Sequence, residues 1–161
     1  KISIHEVTDM PAINLALDTI NIGKQALVFA NTKKSAEATA EKIALEIKTE
    51  NFDLTTLSEK ILKVLSAPTK QCKRLAFCAK KGIAFHHAGL PSGQRELIES
   101  NFKAGLIRII CATPTLAMGI NLPAFRVIMK DLKRYGGRGM DWIPTLEYQQ
   151  MTGRAGRPGC W

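Results

Sequence analysis

The sequence predicts an α/β protein with a mostly parallel sheet flanked by helices, and three observations predict it. Four short apolar runs stand out: Ala26-Leu27-Val28-Phe29-Ala30, Ile83-Ala84-Phe85-His86, Ile107-Arg108-Ile109-Ile110-Cys111-Ala112 and Phe125-Arg126-Val127-Ile128-Met129. Their length and near-continuous apolarity suit strands buried on both faces. The segments between them carry apolar residues at helical spacing. Three of the runs lead directly into short polar stretches, Asn31-Thr32, His87-Ala88-Gly89 and Thr113-Pro114-Thr115. Strands alternating with helices argue a parallel sheet. In such sheets ligands bind beyond the carboxyl ends of the strands. Three polar loops on that edge are therefore the first sign of a site.

The elements follow in order. Ala12, Leu15, Ala16 and Ile20 recur at helical spacing, with Gly23 as a stop. After the first strand, Thr32 can cap a helix whose stripe is Ala36, Ala40, Ile43 and Ile47. A strand that runs into a capped helix is a natural phosphate site, and equally a plain cap. Residues 51–82 read as two helices. Thr56 and Glu59 match a capping box for the first, with a stripe of Leu57, Ile61, Val64 and Leu65 ended by Pro68. Cys72, Leu75, Ala76 and Ala79 form the second stripe, closed by Gly82. Both stripes read as core. Beyond the second strand, Pro91 or Ser92 opens a helix with Leu97, Ile98 and Phe102 inward and Gly105 at its end. Residues 131–144 break the pattern with a glycine-rich centre between two flanks, which predicts a β-hairpin or ordered loop. This stretch carries three basic residues and the aromatics Tyr135 and Trp142.

At 161 residues the chain fits one domain, residues 1–161, and 45% apolar content supports a folded core. The net charge is 23 − 14 = +9, which favours a polyanionic partner. No apolar run approaches the roughly 18 residues a membrane span needs, so no membrane role is expected. The chain opens on Lys1, and we expect a fragment of something longer. Cys72, Cys78, Cys111 and Cys160 form no C-x-x-C pair and read as reduced, intracellular thiols. His86 and His87 have no third ligand close in sequence, so no metal site is expected.

The stretch Gln149-Gln150-Met151-Thr152-Gly153-Arg154-Ala155-Gly156-Arg157-Pro158-Gly159 is the most distinctive. Pro144 suits a first helical position, and Tyr148 and Met151 have helical spacing. If the helix continues, Gln150, Arg154 and Arg157 share one face. Two guanidiniums and an amide suit a polyphosphate, because arginine offers planar, permanently charged donors. The same spacing also fits a solvated basic helix end.

The pattern Q-x-x-G-R-A-G-R-P-G resembles motif VI of superfamily 2 helicases. Together with Leu27-Val28-Phe29-Ala30-Asn31-Thr32, His86-His87-Ala88-Gly89-Leu90 and Ala112-Thr113-Pro114-Thr115-Leu116-Ala117-Met118-Gly119-Ile120-Asn121-Leu122-Pro123-Ala124, it looks like their second RecA-like motor domain over residues 25–160. The strings are most similar to the superkiller-like group, and within it to archaeal Hel-type DNA repair helicases. The resemblance implies a RecA-like three-layer fold. It implies that Arg154 and Arg157 act at ATP, joined by Gly119, Asn121 and Gln150 in binding the nucleotide. It implies that Asn31, Thr32, Gly89, Thr113 and Thr115 contact the nucleic-acid backbone. The 131–144 insertion resembles the strand-separating hairpin of the DNA members, with Tyr135 or Trp142 as stacking residues. The partners implied are single-stranded or forked nucleic acid, DNA before RNA, and the first RecA-like domain and accessory domains of the same protein.

One departure matters. The sequence has no G-x-x-x-x-G-K-[ST] and no D-E-x-x box. ATP with Mg is therefore expected to be bound mainly by a first motor domain absent from this chain, which should be inactive alone. The alternatives are an RNA helicase of the same group and a non-catalytic nucleic-acid-binding module. The location expected is intracellular, cytoplasmic in a prokaryote, with the nucleus as the eukaryotic alternative.

Overall fold

The computed structural model describes residues 10–48, 51–113 and 122–130, with the backbone of 133–136 and 139–142. The elements run α1 (Pro11–Asn21), β1 (Ala26–Phe29), α2 (Lys33–Leu45), α3 (Phe52–Leu62), α4 (Lys70–Lys80), β2 (Ile83–His86), α5 (Ser92–Lys103), β3 (Ile109–Ala112), β4 (Arg126–Met129), β5 (Lys133–Gly136) and β6 (Gly139–Trp142).

Four strands form one sheet in the order β2-β3-β1-β4, and every pair is parallel. Each residue of these strands is buried, as expected of a sheet covered on both faces. The register aligns Phe29 with Ala112 and with Met129, and His86 with Ala112. All four carboxyl ends therefore finish at one edge. Ala30 N–H donates to Ala112 O at 2.9 Å and Lys130 N–H to Phe29 O at 2.9 Å, so the ladder stays paired to that edge.

The helices cover the sheet with their apolar stripes. α2 packs on β2 and β3, α4 on β2, and α1 on β1 and β4. Ala36, Ala40 and Ile43 of α2 and Leu75 and Ala79 of α4 are inside, and Phe29, Phe85 and Phe102 are fully buried. Each large side chain buried in this way contributes roughly 1.5–3 kcal/mol. Gly23, Gly82 and Gly105 follow α1, α4 and α5 with φ of 76°, 80° and 87°, the left-handed turns their sequence positions predict.

Polar side chains pin the edges of this core. Arg126 opens β4 and is buried, and its Nη1 donates to Asp18 Oδ2 at 3.0 Å, Thr19 Oγ1 at 3.1 Å and Leu15 O at 3.3 Å. One guanidinium thereby locks α1 onto the sheet. Gln25 Nε2 donates to Phe102 O at 2.6 Å and Ile107 O at 2.7 Å, which fixes the turn from α5 into β3.

Three sequence expectations change. Thr56 and Glu59 form no capping box: the cap of α3 is Asn51, whose Oδ1 accepts from Asp53 N at 2.7 Å and Leu54 N at 3.3 Å. Thr56 lies inside the helix and donates to Phe52 O at 3.1 Å. Asparagine five residues upstream satisfies the first-turn amides, so the S/T-x-x-E pattern is left without that role. The helix also stops at Leu62, so Val64 and Leu65 lie beyond it. β3 starts at Ile109 rather than Ile107, because Ile107 N–H is turned to Asn101 O at 3.1 Å.

β5 and β6 pair antiparallel, Lys133 with Trp142 through Gly136 with Gly139, as the glycine-centred stretch predicts. Cys72, Cys78 and Cys111 are buried free thiols. Burial pushes Cys78 up to about 12 and Cys111 well above the ordinary value, so both behave as structural thiols. No helix among the described residues is long and apolar enough to cross a membrane.

Candidate nucleic-acid interface

The carboxyl edge of the sheet collects polar groups from every strand. β1 ends at Phe29, and the chain passes through Ala30 and exposed Asn31 into Thr32, the cap of α2. Thr32 is extended, and its Oγ1 accepts from Ser35 N at 3.0 Å. The first turn of α2 then presents its amide end with exposed Lys33 and Lys34. Lys130 directly follows β4, and its Nζ donates to Ser35 Oγ at 3.3 Å. Half-buried Thr113 directly follows β3. β2 ends at His86 and turns through His87, Ala88 and Gly89. A Cβ on Gly89 would lie 3.8 Å from Lys33 Nζ, so the β1 and β2 loops meet.

Asn31, Thr32, Gly89 and Thr113 thus stand on the edge predicted for them. Thr115, Gly119, Asn121, Gln150, Arg154 and Arg157 lie outside the described residues, as do the side chains of Tyr135 and Trp142. Sequence reasoning missed Lys33 and Lys130, which bring the cations to this edge. A lysine directly after a capping threonine, and another directly after a strand, were the available signals.

It also missed the buried layer beneath. Glu37 of α2 is 7% exposed. Its Oε2 accepts from His87 Nε2 at 2.7 Å and Gln71 Nε2 at 3.0 Å, and its Oε1 from Arg74 Nη1 at 2.8 Å. Burial works against its charge, but the His87 and Gln71 hydrogen bonds and the Arg74 charge outweigh it and hold the carboxyl below its ordinary value. Arg74 also grips Glu41 with two bonds, at 2.9 and 2.5 Å. The signal for Glu37 was its place on the inner spacing 37, 40, 44 of α2, where a carboxylate needs a partner. The two histidines turn to different carboxylates: His86 Nε2 donates to Glu99 Oε2 at 2.7 Å. Buried His86 is pushed below the ordinary histidine value by burial, against the opposing Glu99 bond.

Chemically, this edge offers hydroxyls, backbone amides and ammonium groups. Such groups position a phosphate backbone without reading bases.

Residues 58–159 match the family described as helicase conserved C-terminal domain. The ATP-dependent DNA helicase Hel308 of Methanococcus vannielii is 44% identical over 161 residues, covering 98% of this chain and 21% of that protein. The helicases of the same name from Methanocella arvoryzae and Pyrococcus abyssi are 46% and 48% identical, covering 90% and 89% of this chain and 20% of each relative. The chain spans about a fifth of the length of these curated relatives. With the family match running over more than half of its residues, the chain belongs to the helicase conserved C-terminal domain family.

Proposed function

We propose that this chain is the C-terminal motor domain of an ATP-dependent DNA helicase. The observation that carries the proposal is the family match over residues 58–159, which includes the Gln150–Arg157 stretch. The names of the relatives support DNA over RNA as the strand. In this reading Asn31, Thr32, Lys33, the Gly89 loop and Thr113 hold the strand backbone at the carboxyl edge, and Thr115 joins them. Gly119, Asn121, Gln150, Arg154 and Arg157 face ATP held by a first motor domain. Glu37 and Glu99 are committed to His87 and His86, and no group of three or more metal-ligating side chains forms among the described residues. The metal and the phosphate-cradling loop belong, in this proposal, to the first motor domain, and the location is intracellular.

The arginines test the proposal. In phosphoryl transfer charge spreads over the γ-phosphoryl oxygens, and the protein's work is chiefly electrostatic. Guanidiniums reaching in from a second domain stabilise that charge only when the domains close, an effect of roughly 10³–10⁵ in rate. In the full-length protein, Arg154→Ala or Arg157→Ala should lower kcat for ATP by at least ~100-fold, a conservative bound on that range. Arg→Lys should also be poorly tolerated, since the planar fork is lost. Gln150→Ala should be milder, because a neutral amide makes a weaker bond. Strand binding without nucleotide should change little. Steady-state ATPase kinetics beside strand titrations decide it. Loss of strand binding with near-normal turnover would reassign the stretch to the nucleic acid.

A further inference from the structure

We propose that His87 is a positioning residue for strand binding: its buried imidazole, aimed by Glu37, sets the shape of the exposed Ala88-Gly89 turn. This inference rests on the reading of the carboxyl edge as a strand contact.

The geometry leaves the ring one arrangement. Gly89 N–H donates to His87 Nδ1 at 3.0 Å, so Nδ1 carries no hydrogen. The ring hydrogen therefore sits on Nε2, which donates to Glu37 Oε2 at 2.7 Å. Phe85 stacks on the imidazole with centroids 5.9 Å apart and 9° between the planes. The His87 carbonyl accepts from Leu90 N at 3.2 Å, which closes the turn. A Cβ on Gly89 would meet Cε1 of the ring at 3.0 Å and Nδ1 at 3.1 Å, so a larger residue would make the buried ring give way slightly. His87 is 2% exposed, while Ala88 and Gly89 face outward.

Glu37 is itself held from α4. Gln71 and Arg74 both bond it, and Arg74 is anchored on Glu41. A continuous set of polar contacts thus runs from α4 through α2 to the turn beside Lys33. Gly89 N–H is spent on the imidazole, so in this proposal it shapes the turn rather than donating to a phosphate. What His87 supplies is preorganisation: the turn is already ordered when the strand arrives, and less entropy is lost on binding.

The test separates the two ring nitrogens. In His87→Asn, the side-chain oxygen stands near the Nδ1 position and keeps an acceptor for Gly89 N–H. In His87→Gln, the amide reaches toward Glu37 and the acceptor for Gly89 is lost. The readout is ATPase of the full-length protein titrated with a single-stranded oligonucleotide, giving kcat at saturation and the strand concentration for half-maximal stimulation. His87→Gln should raise that concentration about 10-fold at unchanged kcat, the effect of one lost hydrogen bond in a binding turn. His87→Asn should raise it by no more than about threefold, since it keeps the Gly89 acceptor and loses only the Glu37 bond. Equal shifts in both variants, or loss confined to kcat, would overturn the proposal.

Lys33→Ala separates the inference from its premise. If Lys33→Ala raises the half-maximal concentration and neither His87 variant does, only the positioning role falls. If all three are silent, the strand-contact reading falls and takes the inference with it. Should the His87 variants fail to fold, Glu37→Gln serves. It keeps an acceptor oxygen but weakens the hold on the ring, and should raise the concentration about threefold, a fraction of one bond. No shift there would also overturn the proposal.

Discussion

His86 and His87 are adjacent in sequence and have opposite consequences. His87 bridges a carboxylate and a backbone amide, whereas Nδ1 of His86 is buried with no hydrogen-bond partner among the described residues. Burial holds His86 below the ordinary histidine value of 6.5, with the Glu99 bond opposing. The unfolded chain therefore takes up a proton near that value, which the folded chain accepts only at lower pH. Stability is full above 6.5 and declines as the pH falls through the window beneath it. Glu37, held below its ordinary 4.5, loses stability in the same direction further into acid. We expect the urea midpoint to fall between about pH 7.5 and 5.5, and the fall to shrink in His86→Gln. A midpoint that rose on acidification, or an unchanged slope in the variant, would remove His86 from this account.

The elements divide by how local their causes are. The ends of α1, α4 and α5 follow from Gly23, Gly82 and Gly105, each within a residue or two of its helix. The start of α3 did not follow from Thr56, because Asn51 competes for the same amides and satisfies two of them. The β5–β6 pair shows why a glycine-rich centre marks a hairpin: Gly136 pairs with Gly139 at the closed end of the ladder. We propose that this hairpin is a wedge at a duplex junction, with Tyr135 on one strand or Trp142 on the other stacking on the first unpaired base. Shortening residues 132–143 in the full-length protein should lower unwinding at least about 10-fold, consistent with a stacking contact of roughly 1–3 kcal/mol. Strand-stimulated ATPase should stay near its starting value. A gel-based unwinding assay beside ATPase measures both, and equal loss of the two would show a structural role instead.

At the scale of the whole molecule, charge and topology act together. The net charge is +9, and the sheet places Lys33, Lys34 and Lys130 at one edge. Acidic groups near that edge are paired internally: Arg74 bridges Glu37 and Glu41, and His87 hydrogen-bonds Glu37. The edge is left with a cationic surface, which suits a backbone contact that depends on counterion release. Single-strand binding without nucleotide should therefore weaken linearly in log–log plots against salt. Three edge lysines give a slope of about −2, at ~0.7 per phosphate neutralised on a single strand. Fluorescence anisotropy at several salt concentrations measures it. A flat salt response, or strong preference for one base sequence, would count against a backbone contact.

The sequence by itself determined the fold class, the stops of α1, α4 and α5, and the edge on which Asn31, Thr32, Gly89 and Thr113 stand. Each of these depends on patterns a few residues long: an apolar run of strand length, a glycine after a stripe, a hydroxyl before a helix. Only the tertiary structure decided the strand order β2-β3-β1-β4 and the buried contacts under the edge. Glu37 meets His87 across 50 residues and Arg74 across 37, and Lys130 meets Ser35 across 95. Local periodicity is blind to such partners, because they are chosen by which helix packs on which strand. A lone glutamate on an apolar stripe signals that a partner exists, and only the packed sheet shows which one it is.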